Sequence, residues 1–228
     1  MINGKLIGKI NEAEWTDEGF FNPTGPYILQ LKINEDIRLK ILDAITERGE
    51  MHVDLRFTGG KESDRFNDAI KNSIVDGDIG EISKEWLKKH PENKIENTIE
   101  KLLCRYGERY YNRPGLSTII DVWYVVMKEG DFHLLHSHAD HNERLPEGTV
   151  DLSGAIYLKV PDNLPHPQGT MNWVIGGPVA APYDPFWQHS PEPGDVFLWP
   201  SWLMHMVYPF RSKQERIMIS FNGAVKCI

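Results

Sequence analysis

Residues 118–127 read Thr-Ile-Ile-Asp-Val-Trp-Tyr-Val-Val-Met, a run dense in β-branched and aromatic side chains. Such a run is typical of a buried β-strand, because branched and ring side chains pack well on a pleated surface. The run also marks a change of pattern near residue 115. Before that point apolar residues recur at helical spacing, and after it short apolar stretches are separated by glycine and proline.

Further stretches with the composition of strands follow this run: Leu152–Val160, Asp195–Trp199, Met204–Tyr208 and Arg216–Asn222. Several short strands with turn residues between them and few helices predict a jelly roll or barrel. We therefore expect one mainly β domain over residues 1–228. Residues 116–228 would form its β core, and residues 1–115 would support that core with helices and strands.

The N-terminal half shows three amphipathic stretches that predict helices with one face in the core. The first has Ile37, Ile41 and Ile45 at four-residue intervals, with Asn34 as a possible N-cap. The apolar residues of the other two are Ile82, Trp86 and Leu87, ended by Pro91, and Ile95, Ile99, Leu102 and Tyr106. Two strands are predicted near Lys5–Ile10 and Pro26–Ile33.

The composition of the 228 residues, with 40% apolar and 25% charged side chains, is that of a folded protein. The net charge of −8 makes a nucleic acid an unexpected partner. Only two cysteines are present, far apart, so a disulfide framework is not expected. No secretory signal and no apolar run of about 18 residues is found. We expect a soluble protein of the cytoplasm that does not associate with membranes.

The most distinctive segment is His133–His141, which reads His-Leu-Leu-His-Ser-His-Ala-Asp-His. Histidine and carboxylate side chains are the usual ligands of non-haem iron. Residues two apart on a strand point the same way, so His136 with His138, or His138 with Asp140, could share one metal ion. A solvated, histidine-rich turn is the alternative interpretation of this segment taken alone.

His205 and Arg216, further along the chain, favour a metal site over a solvated turn as the interpretation of this segment. His205 would supply a ligand from a strand across the cavity, and the short connection Pro209–Gln214 would bring Arg216 to the same cavity. Arg216 could then bind a carboxylate through two parallel hydrogen bonds. Alternation along Arg216–Asn222 places Arg216, Met218, Ser220 and Asn222 on one face and Ile217, Ile219 and Phe221 on the other.

These residues resemble the core of the 2-oxoglutarate/iron(II)-dependent oxygenases of phages and bacteria, which have a double-stranded β-helix (jelly-roll, cupin-like) fold. The matching segments are 130–138, 152–158, 193–205 and 216–222, in this order. The resemblance implies an Fe(II) site formed by the His136/His138/Asp140 region and His205. It also implies 2-oxoglutarate as cosubstrate on Arg216, with help from Tyr157, and O2 as oxidant. Ser220, which alternation places on the same face as Arg216, is expected to line the same cosubstrate site.

The identity of the second ligand stays open at this stage. Related sequences often show His-x-His-Pro, which favours His136 and His138, whereas oxygenase chemistry favours His138 with Asp140. We take His138 and His205 as ligands and place Asp140 ahead of His136. No catalytic residue beyond this metal site is predicted.

The predicted function is an Fe(II)- and 2-oxoglutarate-dependent oxygenase, with hydroxylation of an unidentified substrate as its default reaction. One alternative is a cupin-like dioxygenase or isomerase that does not use 2-oxoglutarate and binds its metal through His136, His138 and His205. Another is a non-catalytic phage jelly-roll module with a degenerate site.

Overall fold

The computed structural model describes residues 5–6, 15–21, 27–46, 78–111, 115–138, 149–175 and 185–227. The helices are α1 (Glu35–Thr46), α2 (Lys84–Lys89) and α3 (Ile95–Tyr111), and a single 3-10 turn (Pro91–Asn93) joins α2 to α3. The strands are β1 (Lys5–Leu6), β2 (Trp15–Phe21), β3 (Ile28–Ile33), β4 (Asp78–Glu81), β5 (Gly115–Met127), β6 (His133–His136), β7 (Thr149–Lys159), β8 (Met171–Val174), β9 (Phe186–His189), β10 (Asp195–Pro200), β11 (His205–Val207) and β12 (Arg216–Cys227).

These strands form two antiparallel sheets. The larger one has the order β1-β5-β12-β7-β10-β3-β2, with β4 also paired to β5, and the smaller one has the order β6-β11-β8-β9. The prediction of a mainly β fold with a jelly-roll core is therefore confirmed. In both sheets strands that are distant in the chain lie side by side, so residues from separate motifs can meet between the sheets.

β12 lies in the middle of the larger sheet, between β5 and β7, and its two faces serve two hydrophobic cores. Ile217, Ile219 and Phe221 pack in the core that the sheet shares with the helices. Met218 packs in the second core, which lies between the two sheets. The alternation predicted for this strand is thus confirmed, and the face that carries Arg216, Ser220 and Asn222 is the inner one.

The helices cover the outer face of the larger sheet. α1 begins after Asn34, whose side-chain oxygen accepts a hydrogen bond of 2.9 Å from the backbone N–H of Ile37, as predicted for an N-cap. α2 begins after Ser83 and ends at His90, before Pro91. The predicted apolar stripe of α3 is fully buried: Ile95, Ile99, Leu102 and Tyr106. Among the residues that the structure describes, no helix is long and apolar enough to cross a membrane.

The N-terminal half also contributes strands to the core sheet. β3 pairs with β10 from Lys32 opposite Asp195 to Leu29 opposite Leu198. The predicted strand near Pro26–Ile33 is therefore confirmed, and of that near Lys5–Ile10 the structure describes Lys5–Leu6, which form β1. The division of the chain near residue 115 into a supporting part and a β core remains a prediction. The pairing of β3 with β10 joins these two parts in one sheet.

Candidate metal and cosubstrate site

Three histidines meet at one end of the smaller sheet. His136 ends β6, His138 follows it by two residues, and His205 begins β11, where it pairs directly with His136. Each histidine offers a ring nitrogen within 4.8 Å of those of the other two. The backbone N–H of His138 donates to the carbonyl of Ser201 over 2.8 Å, which ties this segment to the one that leads into β11.

Each of the three rings has its Nδ1 atom within hydrogen-bonding distance of an oxygen. The partners are the Leu134 carbonyl for His136 at 2.6 Å, the Asn222 side-chain oxygen for His138 at 2.8 Å, and the Leu203 carbonyl for His205 at 2.9 Å. Because an oxygen acceptor requires the proton on Nδ1 of a neutral ring, Nε2 of each ring keeps its lone pair. This is the arrangement by which a protein orients histidine ligands for a metal ion.

Burial favours the neutral form of the rings of His136 and His205. The pKa of His205 lies well below its ordinary value because the ring is buried and because His136 and His138 are close to it. Burial also lowers the pKa of His136, although the Leu134 carbonyl acts in the opposite direction. Neutral imidazole is the form that binds a metal, so the site needs little deprotonation near pH 7.

Arg216 lies deeper between the sheets and is fully buried. Its Nη1 donates to the carbonyl of Gly169 over 2.8 Å, and its guanidinium carbon lies 4.7 Å from the centroid of the Tyr157 ring. Its Nε and Nη2 atoms have no hydrogen-bond partner among the described residues, and neither has the Tyr157 hydroxyl. Burial raises the pKa of Tyr157, so its O–H remains a donor at neutral pH.

These open donors fit a carboxylate. Burial lowers the pKa of Arg216, yet guanidinium remains charged in proteins at neutral pH. A buried cation without an anion is costly, and buried polar groups normally find partners. A carboxylate at Arg216 and Tyr157 would supply the missing acceptors.

The structure thus brings together most of the residues predicted from the sequence. His136, His138 and His205 converge, and Arg216, Tyr157 and Ser220 all lie in strands of the larger sheet and are buried. Ser220 sits on the inner face of β12, opposite Ala155 of β7 and Trp123 of β5. Asp140 lies outside the described residues, so its ranking ahead of His136 stays a prediction.

The sequence analysis missed two polar residues of this cavity in a functional role. Asn222 was placed on the inner face of its strand but was given no part in holding His138. His133 was noted only as a member of the histidine-rich segment. Its position three residues before His136 predicts the opposite face of a regular strand, and only the irregularity between β6 and β11 places it inside.

Comparisons with known proteins agree with the family resemblance and with the fold. Residues 121–222 match the family described as "Putative 2OG-Fe(II) oxygenase". Three similar solved structures share the fold. The α-ketoglutarate-dependent epimerase SnoN from nogalamycin biosynthesis has a TM-score of 0.57 and 12% identity over 87% of this chain and 76% of that chain. A prolyl hydroxylase from Trichoplax adhaerens has a TM-score of 0.54 and 13% identity over 88% and 84%. HygX from Streptomyces hygroscopicus, with nickel and 2-oxoglutarate bound, has a TM-score of 0.52 and 11% identity over 87% and 82%. No curated protein matches the sequence.

Residues 121–222, the segment that carries the three histidines and Arg216, match the 2OG-Fe(II) oxygenase family. The protein is an enzyme that uses Fe(II), 2-oxoglutarate and O2. The family match favours this function over the two alternatives, a metal-dependent cupin without 2-oxoglutarate and a non-catalytic module.

Proposed function

We propose that the protein is a hydroxylase whose Fe(II) is held by Nε2 of His136, His138 and His205. The observation that carries this proposal is the convergence of the three rings, each with Nδ1 directed to an oxygen. Histidine nitrogens and carboxylate oxygens both suit ferrous iron, so Asp140 in place of His136 is the competing third ligand.

We propose that 2-oxoglutarate lies between these histidines and Arg216. Arg216 would bind the far carboxylate with its two open N–H groups, and the Tyr157 hydroxyl would donate to the same carboxylate. The inner face of β12 would place Ser220 along the path of the cosubstrate. Since the inter-sheet core next to these residues is apolar and aromatic, the charge of the cosubstrate would find compensation mainly at its two ends.

The residues of this chain would have four tasks in the reaction. His136, His138 and His205 would hold the metal through their ring nitrogens. Asn222 and the two backbone carbonyls fix the rings. Arg216 and Tyr157 orient 2-oxoglutarate, and Trp123 and Trp199, which pack against the rings of His138 and His205, exclude water from that side. When bound, the iron supplies the activation of O2 that couples decarboxylation of 2-oxoglutarate to oxidation of the substrate.

The balanced reaction converts a substrate C–H bond, 2-oxoglutarate and O2 into the alcohol, succinate and CO2. Hydroxylation is the default outcome, and proteins with this fold include an epimerase and a prolyl hydroxylase. The substrate class is therefore chosen by the mouth of the cavity rather than by the fold. We also propose a cytosolic location, in keeping with the two cysteines that lie far apart in the sequence.

The test is the coupling of the three reactants in the purified enzyme. We expect slow formation of succinate from 2-oxoglutarate without any added substrate, dependent on both Fe(II) and O2. His205→Ala should abolish it, whereas the surface variant Lys159→Ala should not change it. A candidate substrate is then accepted if it accelerates succinate formation and gains one oxygen atom by mass spectrometry. Succinate formation that persists in His205→Ala would refute the proposed ligand set.

A further inference from the structure

A fourth histidine, His133, shares the inner face of the smaller sheet with the three histidines of the site. It pairs with Val207 of β11, while His136 pairs with His205, so the four residues of β6 lie opposite the three residues of β11. This bulge turns His133 to the same side as His136, although residues three apart on a regular strand point to opposite sides. Val207 belongs to the inter-sheet core, which confirms that this side is the inner one.

The pairing of β6, β11 and β8 arranges the cavity wall in rows. The first row, at the level of the proposed metal, holds His136, His205 and Trp173, and the second holds His133, Val207 and Met171. The two rows are about 7 Å apart, since a strand rises about 3.4 Å per residue. Beyond the second row, β8 is preceded by Gly169, whose carbonyl accepts from Arg216. His133 therefore lies at a level between the metal and the guanidinium.

The ring of His133 is positioned for a ligand rather than for a partner within the described chain. Its Nε2 atom is buried and has no hydrogen-bond partner among the described residues, although the side chain as a whole is half-buried. The ring meets that of His136 edge to face, with centroids 5.9 Å apart. A buried polar atom without a partner is uncommon in a folded protein, and it calls for an acceptor or donor that the cavity receives from outside.

We propose that Nε2–H of His133 donates a hydrogen bond to the carboxylate at the keto acid end of 2-oxoglutarate. This inference rests on the proposed binding of 2-oxoglutarate between the histidines and Arg216. His133 would be a third protein contact for the cosubstrate, separate from Arg216 and Tyr157 at the other end. The contact between the rings of His133 and His136 places it beside the metal end.

The test compares two keto acids of equal chain length, 2-oxoglutarate and 2-oxopentanoate, which lacks the far carboxylate. Both are titrated anaerobically into the Fe(II) enzyme, and binding is followed by calorimetry. We expect His133→Ala to weaken both ligands by the same factor of about ten or more, the effect of losing a hydrogen bond to a charged group. His133→Gln, which keeps an N–H donor, should recover part of the affinity. His90→Ala, on the helical side of the molecule, is the matched control and should bind both as the wild type does.

Fe(II) affinity, measured separately, should be equal in the wild type and in His133→Ala. Unchanged binding of both keto acids in His133→Ala would overturn the proposal, as would weakening of 2-oxoglutarate alone, which would place the contact at the Arg216 end. A parallel loss of Fe(II) affinity would also overturn it, because His133 would then act through His136. If His133→Ala does not fold, His133→Leu, which fills the space, takes its place in the same comparison. Failure of the wild type to bind 2-oxoglutarate would instead refute the proposed function.

Discussion

The side-chain oxygen of Asn222 lies 2.8 Å from Nδ1 of His138, 84 residues away in the chain, and both side chains are buried. The same oxygen accepts from the hydroxyl of Ser153 over 2.9 Å. One residue of the central strand β12 thus orients a ring that belongs to the segment after β6. Arg216, at the start of the same strand, is buried and donates to the Gly169 carbonyl, so β12 carries side chains of both proposed binding positions.

Removing the acceptor of Asn222 should weaken the metal site. In Asn222→Leu, Nδ1 of His138 loses this partner, and residues that orient a ligand in this way typically contribute 10- to 100-fold in metal affinity. Asn222→Asp keeps an acceptor and should lose much less. Ser153→Ala, which leaves the contact with His138 intact, is the control. The measurement is anaerobic Fe(II) binding, and equal affinities of the wild type and Asn222→Leu would contradict this role.

The identity of the third ligand can be settled by a pair of variants. We expect His136→Ala to lose Fe(II), because His136 lies with His138 and His205 in the cluster of ring nitrogens. Asp140→Ala should retain it. Iron content is measured after anaerobic reconstitution and desalting. The opposite pattern, with iron retained in His136→Ala and lost in Asp140→Ala, would restore the ranking predicted from the sequence.

Arg216 should contribute to the binding of the far carboxylate alone. Arg216→Met keeps a long side chain in the core but removes the charge and the open donors. Its affinity for 2-oxoglutarate should fall by about 1.5–3 kcal/mol, the contribution of a hydrogen bond to a charged group. Its affinity for 2-oxopentanoate should not change, and Tyr157→Phe should show the same selectivity with a smaller loss. Equal losses for both keto acids would show that Arg216 does not bind the far end.

Asp195 should make the stability of the protein depend on acid pH. Burial alone would raise its pKa, but hydrogen bonds from His189, Lys32 and the backbone of Glu192 hold the pKa below its ordinary value. The folded state therefore favours the ionised form, and this stabilisation is present above pH 4 and is lost as the pH falls through the lowered pKa. Asp195→Asn should lower the free energy of unfolding by about 2 kcal/mol at pH 7.

The difference between the wild type and Asp195→Asn should shrink as the pH falls below 4. Denaturant unfolding at a series of pH values checks this. Glu192→Gln provides the control, because its side chain is largely exposed in its pair with Lys32 and such pairs contribute little. A constant difference between the wild type and Asp195→Asn across this pH range would mean that ionisation of the Asp195 carboxyl group does not contribute to the free energy of unfolding.

Gly154 of β7 should not tolerate a side chain. A Cβ atom built on it would lie 2.2 Å from Cζ of Phe221, on the neighbouring strand β12. Gly154→Ala should therefore destabilise the protein by about 1–3 kcal/mol through overpacking. In the Phe221→Leu background, Gly154→Ala should lower the free energy of unfolding by less than it does in the wild type. Unfolding in denaturant measures both differences. Full additivity of the two changes would contradict a direct clash.

Much of the fold follows from local pattern in the sequence. β5, β7, β10 and β12 are apolar or strictly alternating because they lie in the middle of a sheet between two cores, and these strands were predicted. The helix α1 was predicted because Asn34 caps it and its apolar residues keep one spacing. In each case a single physical cause, burial of one face or capping of one end, determines the pattern of residues that are close together in the sequence.

The smaller sheet was harder to predict because its strands are short and carry the polar residues of the cavity. β6 consists of His-Leu-Leu-His, and β8 and β9 are also only four residues long. The convergence of His138 with His205 was predicted from chemistry, but the contacts of Asn222 with His138 and of Arg216 with Gly169 depend on strand register. Register is set by pairing between strands far apart in the chain, which local pattern does not specify.

The central claim is that the three histidines and Arg216 form one site for Fe(II) and 2-oxoglutarate. The most direct measurement is an anaerobic titration of the Fe(II) enzyme with 2-oxoglutarate, followed by visible absorption. We predict a weak charge-transfer band that saturates with the cosubstrate, is absent in His205→Ala, and requires a much higher cosubstrate concentration in Arg216→Met. An enzyme that binds Fe(II) but never develops the band, or a band that saturates equally in Arg216→Met, would contradict the account.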